Sequence, residues 1–582
     1  MVGPRRPARL FLLLVLFAAA ACRRKEETRP NLILILVDTL RFDHLHANGY
    51  PRETSPSLDA LARRGVLFEQ AITAAPWTLP SSMSLLTGRL PSAHHVENYR
   101  MKLSPSIPTL AEVLKSAGYA TSAVVSHIYV GRPFGFERGF DRFEDFGISK
   151  DYRFEAGLEP KAERVTERAL EEVRSVKGRP FFLFVHYFDP HWDYDPPPPF
   201  DTRFTGPYAG ALTGKYKSFS EFALPDRPLP AADVQHLVDL YDGEIAYTDS
   251  QIGRLLEGLD QDGVAGRSVV VVVSDHGEEF KEHGSLGHGR NLYDEVTRVP
   301  LIVTDFRQSG GGRRVQEQVR SIDVFPTLCA LAQVLPPRGI QGESLVPYLT
   351  QGSPGSRPAI SETIRFDAYR KSYRQPGAKL IVGLENNSRE YYDLKSDPSE
   401  HENRWKERAV EALAMEQALF EQVEVLEGGW NLRWSSDGSP RRFSGSIETD
   451  GLITGLVPLF PEAGRHRVSR GKRIDFDLEG VMRSGGISFT LDPPNAYVGF
   501  SLALDGKERK DRIFVGGQRT LPPALPFSFS GNAPAEVLQK PAFTSGRDLG
   551  FFLWKSPGPS REEAAELTEA MKERLRSLGY LR

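Results

Sequence analysis

Three apolar runs limit what this chain can fold into more than any other feature. They are Leu32-Ile33-Leu34-Ile35-Leu36-Val37 after Asn31, Phe181-Phe182-Leu183-Phe184-Val185, and Val269 to Val273. Each is continuous rather than alternating, which marks a strand buried on both faces, the environment of a parallel sheet covered by helices on both sides. Helical segments separate them. Ser55-Pro56-Ser57-Leu58 opens one helix with a cap and an early proline, and Leu110 to Ala117 forms another that ends at Gly118, before a strand-like Ala123-Val124-Val125. A longer helix runs from about Ala232 to Glu257, with Leu237, Leu240, Ile245, Ile252 and Leu255 at helical spacing and Gly258 placed to stop it. Strands alternating with helices predict an α/β fold with a largely parallel central sheet.

Past Asn403 the pattern changes. A helical stretch near Ala409 to Leu426 leads into Gly- and Pro-rich sequence with period-two runs at Arg473 to Leu478, Ile487 to Leu491 and Val498 to Leu502. That periodicity predicts a smaller C-terminal β-rich domain of antiparallel strands. The expected organisation is an N-terminal signal (1–22), a charged linker (23–29), an α/β domain (30–403), a helical connector (404–427), a β-rich accessory domain (428–556) and a closing amphipathic helix (557–582). The 582 residues, 40% of them hydrophobic, can fill more than one core. A net charge of −3 excludes a broad nucleic-acid-binding surface, which needs clustered Lys and Arg.

At the N-terminus, Arg5, Arg6 and Arg9 precede the apolar stretch Leu10 to Phe17, then Ala18 to Ala21, then Cys22. A basic region, a short apolar region and small residues make an export signal, too short for a membrane span. Two readings remain: a soluble secreted chain cut near Ala21, or lipid attachment at Cys22, whose position after Ala19-Ala20-Ala21 resembles a bacterial lipoprotein processing site. The second places the chain in the cell envelope, at the inner or outer membrane, through more than one acyl group, since one alone anchors weakly. Cys329 would then be the only free thiol, in the apolar segment Val324 to Leu331, where it reads as a buried side chain.

The apolar runs end in chemistry. The first leads to Asp38, the second through His186-Tyr187-Phe188-Asp189-Pro190 to His191, and the third through Ser274 to Asp275-His276. Sites in open α/β sheets form at the carboxyl ends of strands, so these segments can converge. The stretch Trp77-Thr78-Leu79-Pro80-Ser81-Ser82-Met83-Ser84-Leu85-Leu86-Thr87-Gly88 reads as a loop becoming a helix, with Thr78 at the N-cap, Pro80 in the first turn and Gly88 at the end. A hydroxyl there faces free N–H groups and the positive end of the helix dipole, a setting that suits an oxyanion. Two aspartates, an imidazole and a hydroxyl suit one divalent cation: Ca²⁺, Mn²⁺, Mg²⁺ or Zn²⁺. Taken singly, Asp38 is a turn residue, Thr78 a cap and each histidine a core or surface residue; their coincidence at three strand ends favours a site.

These motifs resemble the sulfatases of the alkaline phosphatase superfamily. The resemblance is carried by Asn31 to Asp38, Thr78-Leu79-Pro80-Ser81 with Leu85-Leu86-Thr87-Gly88, and Ser274-Asp275-His276-Gly277-Glu278. Supporting blocks are Gly287-His288-Gly289, Arg298-Val299-Pro300-Leu301, Asp323-Val324-Phe325-Pro326-Thr327 and Tyr392-Asp393-Leu394, so the match spans about Pro30 to Asn403. It implies that Asp38, Asp275 and His276 hold the metal with Thr78 at the nucleophile position, that His191 and His288 act on the ester oxygens, and that Asn98 and His283 are further substrate contacts. His288 stands where many sulfatases carry Lys.

The departures bear on substrate. Sulfatases in the strict sense have Cys or Ser at position 78, in a Cys-x-Pro-Ser-Arg pattern, and oxidise it to formylglycine. Here Thr78 cannot become that aldehyde, Ser82 replaces the Arg, and Thr39 replaces a second Asp. The expected activity is a metal-dependent hydrolase acting through Thr78 on a small-molecule or envelope-glycan or lipid ester, with phosphoester or phosphonate favoured over sulfate ester. Alternatives are a sulfuric ester hydrolase, a transferase moving phosphoethanolamine or phosphoglycerol groups, and a non-catalytic envelope lipoprotein that binds a partner. The oligomeric state is open.

Overall fold

The computed structural model describes residues 29–577, apart from 149–160, 177, 309–310, 351, 367, 385, 387, 424–425, 427, 460–465, 483, 517–526, 544–546, 557–564 and 566. The expected signal and Cys22 lie outside the described residues.

All three apolar runs become neighbouring strands of one eight-stranded sheet. Its strands are β1 (Asn31–Val37), β2 (Val66–Ile72), β3 (Ala120–Val124), β4 (Arg142–Glu144), β5 (Phe181–Tyr187), β6 (Ser268–Ser274), β9 (Arg298–Asp305) and β10 (Arg313–Arg320), in the order β10-β2-β9-β6-β1-β5-β3-β4. A small hairpin of β7 (Glu279–Phe280) and β8 (Leu286–Gly287) lies between β6 and β9 in sequence. The sheet is parallel except at β9, which runs against both β2 and β6. β1 sits between β5 and β6, with Val37 level with Tyr187 and Ser274. That register brings the residues that follow all three strands to one edge of the sheet.

Side chains of β1 alternate between two cores. Leu32, Leu34 and Leu36 pack with the helices Thr78–Thr87, Leu110–Ser116 and Val324–Leu331, while Ile33, Ile35 and Val37 pack with Pro56–Arg64, Ala162–Ser175 and Ala231–Gln261. Each is at most 1% exposed, and burying a side chain of this size contributes about 2 kcal/mol. Cys329 is fully buried in the first of these cores, which pushes its thiol up to about 12.

Several local expectations are corrected. The long helix does not stop at Gly258 but continues to Gln261. Gly258 is there because Leu170 of the neighbouring helix lies 2.4 Å from where a Cβ would stand. Thr78 is the first helical residue rather than the cap; Trp77 holds the cap position and makes no side-chain cap bond, since its indole has no acceptor, and the Thr78 hydroxyl is turned to His276. Gly88 does end that helix, at φ +65°. The strand expected at Ala123 to Val125 lies at Ala120–Val124.

A second sheet escaped the sequence reading. β11 (Ala359–Arg365), β12 (Ala368–Gln375), β13 (Ala378–Gly383) and β14 (Ser388–Tyr392) form an antiparallel meander. It is tied to the loop before Thr78: Ser361 Oγ donates to the Thr73 carbonyl at 2.6 Å, and the Glu362 N–H to the Ala74 carbonyl at 2.9 Å.

The C-terminal domain consists of two five-stranded sheets sharing one core that includes Trp430, Trp434, Phe443, Phe476, Phe489 and Phe500. The runs expected at Arg473, Ile487 and Val498 are the strands Arg473–Val481, Gly485–Asp492 and Val498–Leu504. Val457 and Leu459 of this domain pack with Ala74, Leu380 and Leu419, joining it to the second sheet and to the helix Ala409–Gln422. The closing helix spans Glu569–Ser577. No helix among the described residues is long and apolar enough to cross a membrane.

Candidate active site

Asp38 directly follows β1, and its N–H donates to the Tyr187 carbonyl at 2.9 Å, which fixes where its side chain leaves the sheet. Asp275 and His276 follow β6. Asp275 Oδ1 accepts from the N–H groups of His276 at 2.9 Å and Thr39 at 3.2 Å, leaving Oδ2 to face inward. His276 Nδ1 lies 2.9 Å from the Gly277 carbonyl and so carries the proton, which leaves Nε2 as a lone pair.

Around that lone pair the donors gather. Thr78 Oγ1 is 3.4 Å from His276 Nε2, Asp275 Oδ2 3.5 Å and Asp38 Oδ1 3.6 Å. All four residues are at most 2% exposed. Asp38 Oδ1 and Asp275 Oδ2 are buried without a hydrogen-bond partner, an arrangement that costs several kcal/mol unless a cation supplies the charge. Burial first, and then Glu278, pushes the Asp38 carboxyl well above its usual range; burial first, and then Asp38, does the same to Asp275. A divalent ion with bonds of about 2.0–2.4 Å holds adjacent ligands at the separations seen here. The three ligand residues Asp38, Asp275 and His276 therefore fit a metal centre, with Thr78 facing the same point.

Thr78 is held from behind. Ser81 Oγ donates to the Asp275 carbonyl at 2.6 Å and bonds Thr73 Oγ1 at 2.7 Å, pinning the first helical turn to the strand end that carries the ligands. Ser82 is fully buried and brings no cation to the site.

His288 and His191 continue the site. The His288 ring centre is 4.4 Å from that of His276 and 4.9 Å from that of His191, and the Trp192 ring stacks on His288. His288 Nδ1 is 2.9 Å from Glu278 Oε1, whose other oxygen accepts from Tyr194. His191 Nδ1 donates to the Trp192 carbonyl. Burial, with His288 next for His191 and Arg365 next for His288, holds both imidazoles well below their ordinary range, hence neutral.

The other expected contacts lie apart from this cluster. Asn98 Oδ1 accepts from the Arg100 N–H, and the residue lines a cavity beside β11. His283 stacks on Tyr293 and pairs with Glu295 at 3.0 Å. Asp189, two residues before His191, is turned towards Lys161, 4.0 Å away.

Four residues were missed by sequence reasoning. His186 Nε2 sits 3.2 Å from Asp38 Oδ2, and its place at the end of β5, beside Leu36, was the available signal. Glu278 orients His288 and stood two residues after His276 in the quoted motif. His127 stacks on Phe188, which in turn stacks on His191. Arg365 lies over the Trp77 ring, 4.5 Å from its centre, and nothing in the sequence pattern marked β11 as part of the site.

The family model described as Sulfatase matches residues 30–334, more than half of the chain, and one described as N-sulphoglucosamine sulphohydrolase, C-terminal, matches residues 281–427. The C-terminal sandwich lies beyond both. An arylsulfatase of Clostridium perfringens is 26% identical over 465 residues, covering 69% of this chain and 96% of the relative. A multifunctional alkaline phosphatase superfamily protein of Trinickia caryophylli is 27% identical over 489 residues, covering 67% and 94%. The phosphonate monoester hydrolase of Agrobacterium radiobacter has the same fold, with a TM-score of 0.57 at 23% identity over 68% of this chain and 95% of that one.

Proposed function

The chain belongs to the sulfatase family, and from that premise we propose that it is a metal-dependent ester hydrolase using Thr78 as nucleophile, with phosphoester or phosphonate monoesters or diesters preferred over sulfate esters. The observation that carries this reading is the Thr78 hydroxyl, 3.4 Å from His276 Nε2, facing the inward oxygens of Asp38 and Asp275. Asp38, Asp275 and His276 would hold the metal, which supplies a lowered hydroxyl pKa and charge neutralisation at the ester oxygens.

The residues of the chain do the rest. Thr78 Oγ1 attacks phosphorus in line, forming the Oγ1–P bond as the P–O bond to the leaving group breaks. His288, oriented by the contact of its Nδ1 with Glu278, takes at Nε2 the proton that leaves Thr78 Oγ1 as that oxygen attacks. That proton then goes to the leaving oxygen. His191, on the far side of His288, contacts the ester oxygens. Water breaks the Oγ1–P bond in a second step and restores the threonine.

The threonine favours phosphorus over sulfur. A formylglycine hydrate expels sulfate by re-forming its aldehyde, whereas a threonine sulfate must be cut by water at sulfur. The multifunctional relative supports a site that tolerates more than one ester class, and the arylsulfatase relative favours sulfate as the second reading. We also infer export and lipid attachment at Cys22, from its sequence setting.

The test is turnover of 4-nitrophenyl phosphate, phenylphosphonate ester and sulfate with added Ca²⁺, Mn²⁺, Mg²⁺ or Zn²⁺. Thr78→Ala is expected to lose at least about 10³-fold in kcat. Strong sulfatase turnover with little phosphatase or phosphonate activity overturns the preference.

A further inference from the structure

The groups that face Thr78 carry negative charge or none. Asp38 and Asp275 are carboxylates, His276, His288 and His191 are held neutral, and Ser82 brings no cation. A divalent ion on the two carboxylates makes that centre neutral overall, and an ester bound there adds one or two negative charges. We propose that Arg365 answers this charge: its guanidinium takes a non-bridging oxygen of the ester and gives the site a preference for dianionic phosphate monoesters over monoanionic phosphonate, diester and sulfate substrates. The proposal rests on the hydrolase reading for what reacts; the contact with the anion is testable without turnover.

The strand β11 places the arginine. Side chains alternate along a strand, and Ser361 and Thr363 both turn to the site: Ser361 Oγ donates to the Thr73 carbonyl in the loop before Thr78, and Thr363 Oγ1 donates at 3.0 Å to the carbonyl of Gly289, the residue after His288. Arg365 is next on that face. Its Cζ lies over the Trp77 ring, 4.5 Å from the centre, and Trp77 directly precedes Thr78. The side chain also passes close over Gly289, where a Cβ would stand 2.9 Å from Arg365 Cδ and 3.4 Å from Nη1. The glycine leaves the room that the arginine fills. Arg365 thus touches the residue before Thr78 and the residue after His288.

Its charge reaches the same centre. Burial acts first on the acidity of Asp38, Glu278, His276 and His288, and the Arg365 charge then acts on all four, favouring ionised carboxylates and neutral imidazoles. Coulombic effects fall with distance, so a charge felt by all four lies close to the point they surround.

The side chain is also held in a way that suits an oxygen ligand. Arg365 is buried and packs on two rings, Trp77 and, at 4.4 Å, Phe366. Ring contacts use the face of a guanidinium, while its N–H donors lie in the plane, at the edge where phosphate oxygens are bound. Trp77 Nε1 is itself buried with no acceptor among the described residues, so a second donor lies beside the guanidinium. An arginine that only braced Trp77 would serve every substrate equally. An arginine that binds the ester distinguishes two negative charges from one.

The test compares 4-nitrophenyl phosphate, a dianion at pH 8, with 4-nitrophenyl phenylphosphonate, a monoanion with the same leaving group. Arg365→Met and Arg365→Gln remove the charge, Arg365→Lys keeps it, and unfolding temperature shows which variants fold. Both neutral variants are expected to lose at least about 100-fold in kcat/KM on the phosphate and about tenfold or less on the phosphonate, with Arg365→Lys recovering part of the ratio. Calorimetry on the full chain carrying Thr78→Ala, with Ca²⁺, Mn²⁺, Mg²⁺ or Zn²⁺ added in turn, reads the contact directly: inorganic phosphate should bind at least tenfold more weakly once Arg365 is neutralised, while metal affinity stays within about twofold. Equal losses on the two esters, or phosphate affinity indifferent to the charge at position 365, overturn the proposal and leave the hydrolase reading standing. Phosphate binding that depends on Arg365, with no ester turned over by the wild type, supports the contact and removes the hydrolase reading instead.

Discussion

His186 Nε2 donates to Asp38 Oδ2 across 3.2 Å, and both side chains are fully buried. The bond turns the other oxygen of Asp38 towards His276. Partners of this kind set the orientation of a metal ligand, and their loss costs about 10–100-fold in metal affinity. His186→Ala is therefore expected to weaken divalent ion binding by that factor while the protein still folds. Calorimetric titration of the metal-stripped protein measures it; unchanged affinity would show that Asp38 is oriented by the backbone alone.

Gly277 is a second point where fold and site are one. A Cβ there would lie 1.9 Å from the Glu295 carbonyl oxygen, which is backbone and cannot swing aside. Its N–H donates to the Val296 carbonyl at 3.0 Å, and its own carbonyl holds His276 Nδ1. Gly277→Ala must displace this segment, so we expect destabilisation of about 1–3 kcal/mol together with loss of metal affinity. Thermal unfolding with and without added ion separates the two effects. An alanine variant with wild-type values in both would mean that the loop carrying Glu295 gives way freely.

The candidate metal cluster of Asp38, Asp275 and His276 was legible because it follows β1 and β6, whose unbroken apolar runs announce buried parallel strands and whose ends fall level by register. Thr78 was legible as lying at a helix start, but the cap position expected for it belongs to Trp77, since nothing local shows that the hydroxyl points at His276. Arg365 and the four-stranded sheet were hidden for a different reason. β11 to β14 mix charged residues such as Glu362, Lys371, Arg374 and Lys379 into strand positions, and these are buried only because they pair with each other and with Asp294. A pattern of apolar and polar residues cannot show a pairing made across the fold. The Gly258 correction has the same origin: the glycine answers to Leu170, 88 residues away in sequence, and not to the helix end.

Chelation tests the carboxylate pair directly. Asp38 and Asp275 are both buried, and each raises the cost of ionising the other or is raised by a neighbouring carboxylate. A bound divalent ion stabilises only the folded state, by about 4 kcal/mol at a thousandfold excess over Kd. Stripping with a chelator should lower the unfolding temperature of the α/β domain, and adding back at least one of Ca²⁺, Mn²⁺, Mg²⁺ or Zn²⁺ should restore it. Asp275→Asn should make the unfolding temperature insensitive to both treatments. A chelator effect of equal size in wild type and Asp275→Asn would place the stabilising ion elsewhere.

A last prediction concerns pH and lies away from the metal. Asp249, on the helix Ala231–Gln261, caps the start of the helix Pro56–Arg64: its two oxygens accept from the Leu58 and Ser57 N–H groups, each at 2.9 Å. Burial outweighs those bonds, and with Asp59 close by the carboxyl is pushed up to about 6 from 3.8. Between these values the folded chain binds more protons than the unfolded one, so this residue's contribution to stability rises as the pH falls from about 6 towards 4 and is lost as the pH climbs back through 6. The full span corresponds to about 3 kcal/mol. Asp249→Asn keeps one acceptor for the helix start and removes the titration. The difference in unfolding temperature, wild type minus variant, should therefore shift towards wild type on going from pH 7 to pH 4.5. If that difference stays flat, the two backbone bonds hold the carboxylate ionised throughout, and the cap, not the burial, governs Asp249.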